Sequence, residues 1–204
     1  MNLEEKSLEV RKVFDEFTLE SQQFLEGSQL TCLSGCGFCC ANPKVPATVL
    51  EFLPFALDMY QQGKAEQMLD LVESKGENDF CIIYKAPSED GEKGFCSDYK
   101  NRGLICRVFS SSSRTNKEGK KEIITCKKIK EAKKDLYEKA MVSINNGELG
   151  VPSSSGYYTR LNNIDYALTK ESMPINQAIR KALELVLTHK FYESQSSEAG
   201  EENF

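Results

Sequence analysis

The stretch Cys32-Leu-Ser-Gly-Cys36-Gly-Phe-Cys39-Cys40 places four of the chain's eight cysteines within nine residues. The other four lie further along the chain, at Cys81, Cys96, Cys106 and Cys126. A chain that folds several thiolates around one centre must turn tightly, and the two glycines permit positive φ at little cost. Cysteines two or three residues apart can converge on a metal, as in zinc knuckles and iron–sulfur loops. We therefore expect this stretch to organise the fold.

The compartment decides between metal and disulfides. Eight cysteines is an even number, so a disulfide framework is the alternative to a metal site. The residues from Met1 to Lys6 include acidic side chains and lack the apolar stretch of a secretory signal. No segment approaches the roughly 20 apolar residues that a membrane span requires. We therefore expect a cytoplasmic protein, in which clustered cysteines indicate metal binding or catalysis more often than disulfides.

Composition is typical of one soluble domain. The 204 residues are 40% hydrophobic and 28% charged, with a formal net charge of −5. Residues 193–204 contain four glutamates and no basic residue, so we predict a disordered acidic tail there. Residues 1–192 should form a single helical domain with a cysteine-cluster metal-binding core at about 30–126. The remaining charge is close to neutral and indicates neither a nucleic acid nor a membrane partner.

Hydrophobic periodicity predicts a mainly α protein. The first thirty residues have helical spacing, and Thr48 with Glu51 forms a capping-box pattern that opens a second helix. Pro54 predicts a kink or a late start of that helix. The pattern predicts further helices at 64–73, 127–146, 157–171 and 174–192.

The middle of the chain, residues 76–126, differs from both flanks. Short apolar pieces at 80–84, 103–109 and 122–126 alternate with turn-rich loops, and each carries a cysteine. We predict a loop-rich, cysteine-rich segment with short strands, too poor in apolar residues to form a core by itself. A metal would supply the missing stability, because metal-binding free energy becomes folding free energy. The expected fold is a metal-stabilised single domain.

Three motifs together resemble a known family. They are Cys36-Gly-Phe-Cys39-Cys40 followed by a Thr-x-x-Glu helix start, Phe80-Cys81-Ile82-Ile83, and a Cys-x-x-Tyr-x-x-Arg-x-x-x-Cys-Arg-x-Phe run from Cys96 to Phe109. Over about residues 30–126 the chain resembles the YkgJ-type CxxCxxCC cysteine-cluster family. The resemblance implies a zinc, iron or iron–sulfur site. Some related, longer proteins are flagellin lysine methylases, so the resemblance also leaves a cluster-dependent enzyme as an alternative.

The chain departs from the family pattern at three places. The spacing between Cys32 and Cys36 is one residue longer than usual, which makes Cys32 a less secure ligand. Gly103 and Ser110 stand where the family prefers prolines, so the rigidity of that loop should differ. Cys126 is also less secure because it lies at a helix entry.

The number of thiols bears on the number of centres. Zinc takes four ligands and an iron–sulfur cluster usually takes four thiolates, so eight cysteines can serve two centres, or one with spare thiols. Adjacent Cys39 and Cys40 point in different directions in an extended chain, which leaves open that they serve different centres. All-thiolate ligation suits zinc, iron–sulfur clusters or copper(I). The candidate metal ligands are Cys32, Cys36, Cys39, Cys40, Cys81, Cys96, Cys106 and Cys126, of which we expect all but Cys32 and Cys126 to lie near one another.

Basic side chains have two interpretations each. Arg102 and Arg107 either offset thiolate charge and bond to sulfur or form ordinary loop salt bridges. Residues 114–134 hold nine basic and three acidic residues. We favour a solvated helix face over a nucleic-acid surface, because no aromatic stacking platform accompanies them. We expect the single histidine, His189, on the surface. A chain with one histidine cannot form a Cys2His2 finger.

The sequence contains no serine–histidine–acid arrangement and no phosphate-binding glycine loop, so any chemistry must be carried by cysteines. We predict a cytosolic metal-binding protein that holds zinc or an iron–sulfur cluster through clustered thiolates. The alternative is an enzyme, either thiol-redox or cluster-dependent. A thiol-redox enzyme requires at least one exposed cysteine of low pKa.

Overall fold

The computed structural model describes residues 1–76, 78–88 and 91–201. The chain is 55% helical, which confirms the expected mainly helical fold with a cysteine-rich middle. The helices of the described part are α1 Leu3–Ser28, α2 Leu53–Gln61, α3 Ala65–Glu73, α4 Leu104–Val108, α5 Lys127–Ala132, α6 Lys134–Asn145, α7 Ser154–Ile164, α8 Tyr166–Thr169 and α9 Ile175–Glu201.

Short strands form three antiparallel pairs within the described residues. They are β1 Pro46–Ala47 with β6 Met173–Pro174, β2 Tyr84–Lys85 with β3 Phe95–Cys96, and β4 Ser112–Thr115 with β5 Lys121–Ile124. The β4–β5 hairpin turns at Asn116, whose side chain accepts hydrogen bonds from the backbone N–H groups of Glu118 and Lys120. Two of the three cysteine-bearing apolar pieces, 80–84 and 122–126, therefore overlap short strands, as predicted.

The third piece, residues 103–109, is helical rather than extended. Cys106 lies in α4, where its N–H donates to Gly103 O at 3.1 Å. Ser110 follows with φ 75°, a value that proline cannot adopt. The loop after α4 therefore has a conformation that the family's proline would exclude.

The second helix starts late, as Pro54 predicts. A 3₁₀ turn, Leu50–Phe52, precedes α2, and Pro54 occupies the first turn of α2, where its missing N–H costs little. Glu51 accepts a hydrogen bond from Thr48 N at 2.9 Å, so half of the predicted capping box is present.

Two predicted helices are each broken in two. The helix predicted at 127–146 is interrupted at Lys133 (φ −130°, ψ 42°), whose ammonium donates to Gln29 O and Thr31 O. The helix predicted at 157–171 starts earlier, at the Ser153 cap, and is interrupted at Asp165, whose side chain caps α8. Hydrogen bonds that periodicity does not reveal set both breaks.

The buried apolar residues form two clusters. The larger one, the main core, joins α1, α2, α3, α7 and α9 around residues such as Phe17, Phe55 and Leu183. The smaller one, the second core, lies between the end of α1, β5, α5 and α6; it consists of Phe24, Leu30, Ile123, Ile129, Ala140 and Ile144. Helix α1 runs through both, because Phe17 belongs to one and Phe24 to the other.

The last helix, α9, extends beyond the predicted range of 174–192. The predicted tail at 193–204 falls partly on the last turns of α9, while residues 202–204 lie outside the described residues. The disorder of residues 193–204 stays a prediction. No helix in the described part of the chain combines the length and the apolar character that crossing a membrane requires.

Candidate metal centre

The cysteine-rich loop reverses direction within a few residues. Cys40 N and Ala41 N both donate to Gly37 O, at 2.8 and 2.9 Å, and Cys36 N donates to Leu33 O at 3.1 Å. Gly35 has φ 67°, as expected for a tight turn. These bonds hold three thiols, those of Cys36, Cys39 and Cys40, on one compact turn.

A second loop braces this turn from the side. Gly37 N donates to Glu92 O at 2.8 Å, Gly94 N donates to Gly35 O at 3.2 Å, and Cys36 forms an antiparallel bridge with Lys93. The cysteine loop is thus attached to the β2–β3 hairpin by backbone hydrogen bonds.

The Tyr84 side chain occupies the space that two glycines leave open. Its hydroxyl donates to Gly91 O at 2.7 Å. A Cβ at Gly37 or at Gly94 would overlap the Tyr84 hydroxyl. A glycine is therefore required at position 37 so that the Tyr84 side chain can approach the backbone closely, and at position 35 because φ is positive there. The two glycines of the cysteine loop thus meet different structural requirements.

Cys81 and Cys96 are brought together by the β2–β3 hairpin. Tyr84 N donates to Cys81 O at 2.9 Å, and Tyr84 pairs with Cys96 across the strands. Asn176 at the start of α9 accepts from Ile82 N at 3.0 Å. The hairpin is thereby attached to the main core.

Cys106 is held by a buried carboxylate. Glu51 is only 1% exposed, and its carboxylate accepts from Thr48 N and Thr48 Oγ1 on one oxygen and from Ile105 N, at 2.7 Å, on the other. Burial raises the pKa of Glu51 above its usual value, and these hydrogen bonds partly offset that cost. The sequence identified Glu51 only as a cap for its own helix. Its second role, at the start of α4, has no local sequence signal.

The segment that precedes α4 is fixed by a polar network. Asp58 accepts from Arg11 at 2.7 Å and from Asn101 at 2.9 Å, and Arg11 also donates to Asn101 and to Pro54 O, both at 3.0 Å. This network joins α1, α2 and the loop between Cys96 and Cys106. Sequence reasoning missed it, since common polar residues so far apart give no pattern.

Cys126 stands at the start of α5, where it replaces a typical capping residue. Its Sγ accepts from Ile129 N at 3.4 Å. Lys128, the second residue of α5, has its ammonium group 4.4 Å from the centroid of the Phe38 ring. Together with the bonds from Lys133 to Thr31, this contact holds α5 against the cysteine loop.

The thiols fall into two neighbourhoods. Burial raises the pKa of the Cys32 thiol, and the charges of the nearby Cys36, Cys39 and Cys126 thiolates raise it further. We call these four the outer group: Cys32, Cys36, Cys39 and Cys126.

The other four thiols interact among themselves. Burial raises the pKa of Cys106, as do the neighbouring Cys81, Glu51 and Cys96. Burial also raises the pKa of Cys81, to about 11, with a further contribution from Cys96. The negative charges of the Cys106 and Cys96 thiolates also act to raise the pKa of Cys40. We call these four the inner group: Cys40, Cys81, Cys96 and Cys106.

The two groups meet at the Cys39–Cys40 peptide. A hydrogen bond from the Cys39 thiol lowers the pKa of Cys40, in spite of burial, and raises that of Cys39 itself. Cys32 and Cys126, which the sequence made the less secure ligands, thus share a neighbourhood with Cys36 and Cys39.

Arg102 and Arg107 have different surroundings. The Nε of Arg102 is buried and has no hydrogen-bond partner in the described part of the chain, while its positive charge acts on Cys40, Cys96 and Cys106. Arg107 donates to Arg102 O and Lys100 O, so it braces the loop. Arg102 therefore fits the charge-offset interpretation and Arg107 mainly the structural one.

The aromatic and basic side chains around the cysteines also have defined positions. Tyr99 is 65% exposed and stacks against the Arg102 guanidinium, which lies 3.4 Å from the ring centroid. Lys127 and Lys134 pair with Glu131 and Glu138 one turn further along their helices. Those ion pairs agree with a solvated helix face.

The donor set fits a thiolate-bound metal. All eight cysteines are free thiols, and glycines open the space in which the loop approaches its neighbours. The buried Arg102 Nε supplies an N–H group that lacks an acceptor among the residues that the structure describes. Within residues 1–76, 78–88 and 91–201, however, no three histidine, cysteine, aspartate or glutamate side chains are placed to hold one ion. Ligation therefore requires the sulfur atoms to lie closer together than they do here.

These features define a cysteine-cluster domain of the metal-chelating class. The chain belongs to the CxxCxxCC family, described as "Putative zinc- or iron-chelating domain", whose model matches residues 31–137, more than half of the chain. Membership of this family supports metal binding in general. Comparisons with curated proteins and with solved structures found no match.

Proposed function

We propose that this chain is a cytosolic metal-binding protein whose clustered thiolates hold zinc or an iron–sulfur cluster and thereby fix the middle segment to the helices. The observation that carries the proposal is a set of eight free thiols, of which four lie on the cysteine loop, three pack against the main core and one packs against the second core. The proposed ligands are Cys32, Cys36, Cys39, Cys40, Cys81, Cys96, Cys106 and Cys126.

The chemistry of the donors supports zinc or iron–sulfur over hard cations. Thiolates are soft ligands that select zinc, copper(I) and iron–sulfur clusters, whereas magnesium and calcium prefer oxygen. Eight free thiols also suit a reducing compartment, and this supports the cytosolic placement.

A metal would stabilise a segment that has little else to hold it. Between α3 and α4 the chain contains only the two-residue strands β2 and β3 as regular structure among its described residues. Binding free energy at the thiolates would be added to the stability of this segment, since the unfolded chain lacks a preformed site.

Anaerobic purification followed by metal analysis and an absorption spectrum tests the proposal. Zinc in a colourless protein supports a structural zinc site, and iron with sulfide in a brown protein supports a cluster. Neither zinc nor iron, with all eight thiols titrating as free, would contradict the proposal.

A thiol-redox enzyme is the second candidate, and one observation favours it. Cys40 has a lowered pKa because of the hydrogen bond from Cys39, and low-pKa cysteines are the reactive ones. In the metal-free protein, iodoacetamide at pH 7 should then modify Cys40 faster than Cys81, whose pKa is raised to about 11. Equal and slow modification of both would remove the support for this candidate.

A further inference from the structure

We infer that Glu51 is the residue that positions Cys106 for metal: its buried carboxylate supplies, from a distant part of the chain, the N-terminal cap that α4 lacks. The inference rests on the proposed metal-binding function, in which Cys106 is a ligand. It adds a positioning residue that acts through the backbone of the helix that carries the thiol.

Helix α4 has too little structure of its own to fix a ligand. It is five residues long, and its N-cap residue is Gly103, which has no side chain that could accept from the first N–H groups of the helix. The bond from Cys106 N to Gly103 O, at 3.1 Å, closes its first turn. Helices this short are marginal unless tertiary contacts stabilise them. The position of the Cys106 thiol therefore depends on groups outside α4.

The Glu51 carboxylate is such a group. Its Oε2 accepts from the N–H of Ile105, the residue directly before Cys106, at 2.7 Å. Its Oε1 accepts from the N–H and the hydroxyl of Thr48, at 2.9 and 3.1 Å. A carboxylate can accept on both oxygens at once. Glu51 is only 1% exposed, so water does not compete for these bonds.

The Thr48–Glu51 pair is turned towards α4. A capping threonine accepts a backbone N–H with its hydroxyl, whereas the Thr48 hydroxyl donates to Glu51. Neither the 3₁₀ turn that contains Glu51 nor α2 has a side-chain cap. The flanking Leu50 and Phe52 are buried in the main core, so the backbone that carries the carboxylate is fixed. The bond to Ile105 thus fixes the start of α4 to the main core.

Gly103 leaves room for the carboxylate. A Cβ at this position would lie 3.1 Å from Glu51 Oε2 and 3.0 Å from the Phe52 ring, which is tighter than ordinary contact. The backbone of Gly103, with φ −59° and ψ 163°, is open to any residue and suits an N-cap serine. A serine at position 103 should therefore conflict with Glu51 when that side chain is present and replace it as a cap when it is absent.

Four proteins test the inference: wild type, Glu51→Ala, Gly103→Ser and the double variant. Each metal-free protein is loaded with Zn²⁺ alone, and its affinity is measured by competition with a chelator. Hydrogen exchange of residues 103–108 is measured in the metal-free proteins, so one readout does not depend on metal. Circular dichroism verifies folding. Glu66→Gln, on the exposed side of α3, is the control.

The expected pattern includes a change of sign. Glu51→Ala should lower the zinc affinity about 10–100-fold, the usual loss when a group that orients metal ligands is removed. It should also speed exchange at 103–108 by roughly 10-fold, as loss of a helix cap does. Gly103→Ser should weaken binding when Glu51 is present and recover part of the loss in the double variant. A residue that only fills space would not produce this reversal.

The opposing outcomes are separable. A zinc affinity that Glu51→Ala leaves unchanged, or equal effects of Gly103→Ser in both backgrounds, would overturn the inference while metal binding stands. Exchange that rises evenly over the whole chain would also overturn it, since Glu51 would then stabilise the fold as a whole. If the wild type binds neither zinc nor iron, the proposed function fails, and exchange at 103–108 still decides whether Glu51 caps α4.

Thr48→Val keeps the test decisive if Glu51→Ala does not fold. This variant removes only the hydroxyl that orients the carboxylate. It should speed exchange at 103–108 and lower the zinc affinity in the same way, by a smaller factor. Unchanged exchange and affinity in Thr48→Val would then overturn the inference.

Discussion

The inner and outer groups use the same ligand type but rest on different supports. In the inner group, Cys96 lies on β3, Cys106 lies on α4, Cys81 lies shortly before β2 and Cys40 lies on the cysteine loop. Glu51 and the Asp58 network fix α4 and the loop before it to α1 and α2. In the outer group, Cys126 caps the six-residue helix α5 and the other three thiols lie on the cysteine loop. The inner group is therefore supported by partly buried hydrogen bonds, whereas the outer group is attached mainly through lysine contacts at the surface.

Solvent access sets one thiol apart from the rest. Cys32 in the outer group is exposed, whereas the other seven thiols, three of them in the outer group, are half-buried. A chelator or an oxidant reaches exposed ligands first. We therefore expect Cys32 to be the most labile of the candidate ligands.

Loss of metal binding by the inner group should have the largest effect. Structural zinc can contribute about 10–16 kcal/mol in small domains, as much as the total stability of about 5–15 kcal/mol of a typical protein. We expect Cys106→Ser, or complete metal removal, to make residues 85–120 sensitive to proteases while most of the helical signal persists. Limited proteolysis with circular dichroism measures both.

The matched change in the outer group is Cys126→Ser. It should expose the cysteine loop and α5 to cleavage and leave residues 85–120 protected. Identical digestion patterns for the two variants would contradict the different roles of the two groups. Unchanged proteolysis after confirmed metal removal would show that the metal is not structural.

Gly37→Ala should weaken metal binding by the thiols of both groups, because the cysteine loop that contributes to each group must move. The added Cβ would overlap the Tyr84 hydroxyl. Overpacking of this kind typically costs about 1–3 kcal/mol. Gly150→Ala is the control, since a Cβ there meets nothing within 4 Å. Equilibrium unfolding and metal content measure the effect; a stable variant with full metal content would show that the loop has room to adjust.

Arg102→Gln should weaken metal binding, because the guanidinium charge acts on Cys40, Cys96 and Cys106. Removing a group that supports metal ligands typically costs 10–100-fold in affinity, about 1.4–2.7 kcal/mol. Competition with a chelator measures the metal affinity. Tyr99→Leu removes the ring that stacks on the guanidinium and keeps the charge, so it separates packing from electrostatics. A metal affinity that Arg102→Gln leaves unchanged would contradict the charge-offset role of Arg102.

The sequence predicted the helices and the set of thiols but not how the thiols are grouped. Spacing indicated that Cys36, Cys39 and Cys40 share a turn, because their ligation depends on local conformation. The neighbourhood of Cys32 and Cys126 depends on where α5 packs, and Lys133 decides that through bonds to residues about one hundred positions earlier. Periodicity gave no sign of that break.

The supports of the inner group were equally hidden. Thr48 and Glu51 have a recognisable capping pattern, yet the bond from Ile105 to Glu51 spans 54 positions. Cys81 and Cys96 were expected to be near each other only from the family resemblance. Long-range hydrogen bonds between common residue types leave no periodic signal, so only the structure reveals them.

The smallest expected effect concerns the Asp58 network, which joins α1 and α2 to the loop between Cys96 and Cys106. Burial raises the pKa of Asp58, but the hydrogen bond from Asn101 and the charges of Arg11 and Lys100 outweigh it and leave the pKa lowered. A lowered carboxyl pKa stabilises the fold above the unfolded value of about 3.9, and the contribution disappears as the pH falls through the folded value. Asp58→Asn should thus cost roughly 1 kcal/mol at pH 7.

Urea unfolding at pH 7, 5 and 3.5 measures this dependence. The difference between wild type and Asp58→Asn should be full at pH 7 and should shrink towards pH 3.5. Because acid protonates the thiolates of both proteins alike, loss of metal does not change the sign of the comparison. Asp70→Asn, on the exposed side of α3, is the control. A difference that is as large at pH 3.5 as at pH 7 would show that Asp58 acts through its shape, and the inner group would then lose its electrostatic anchor to α1 and α2.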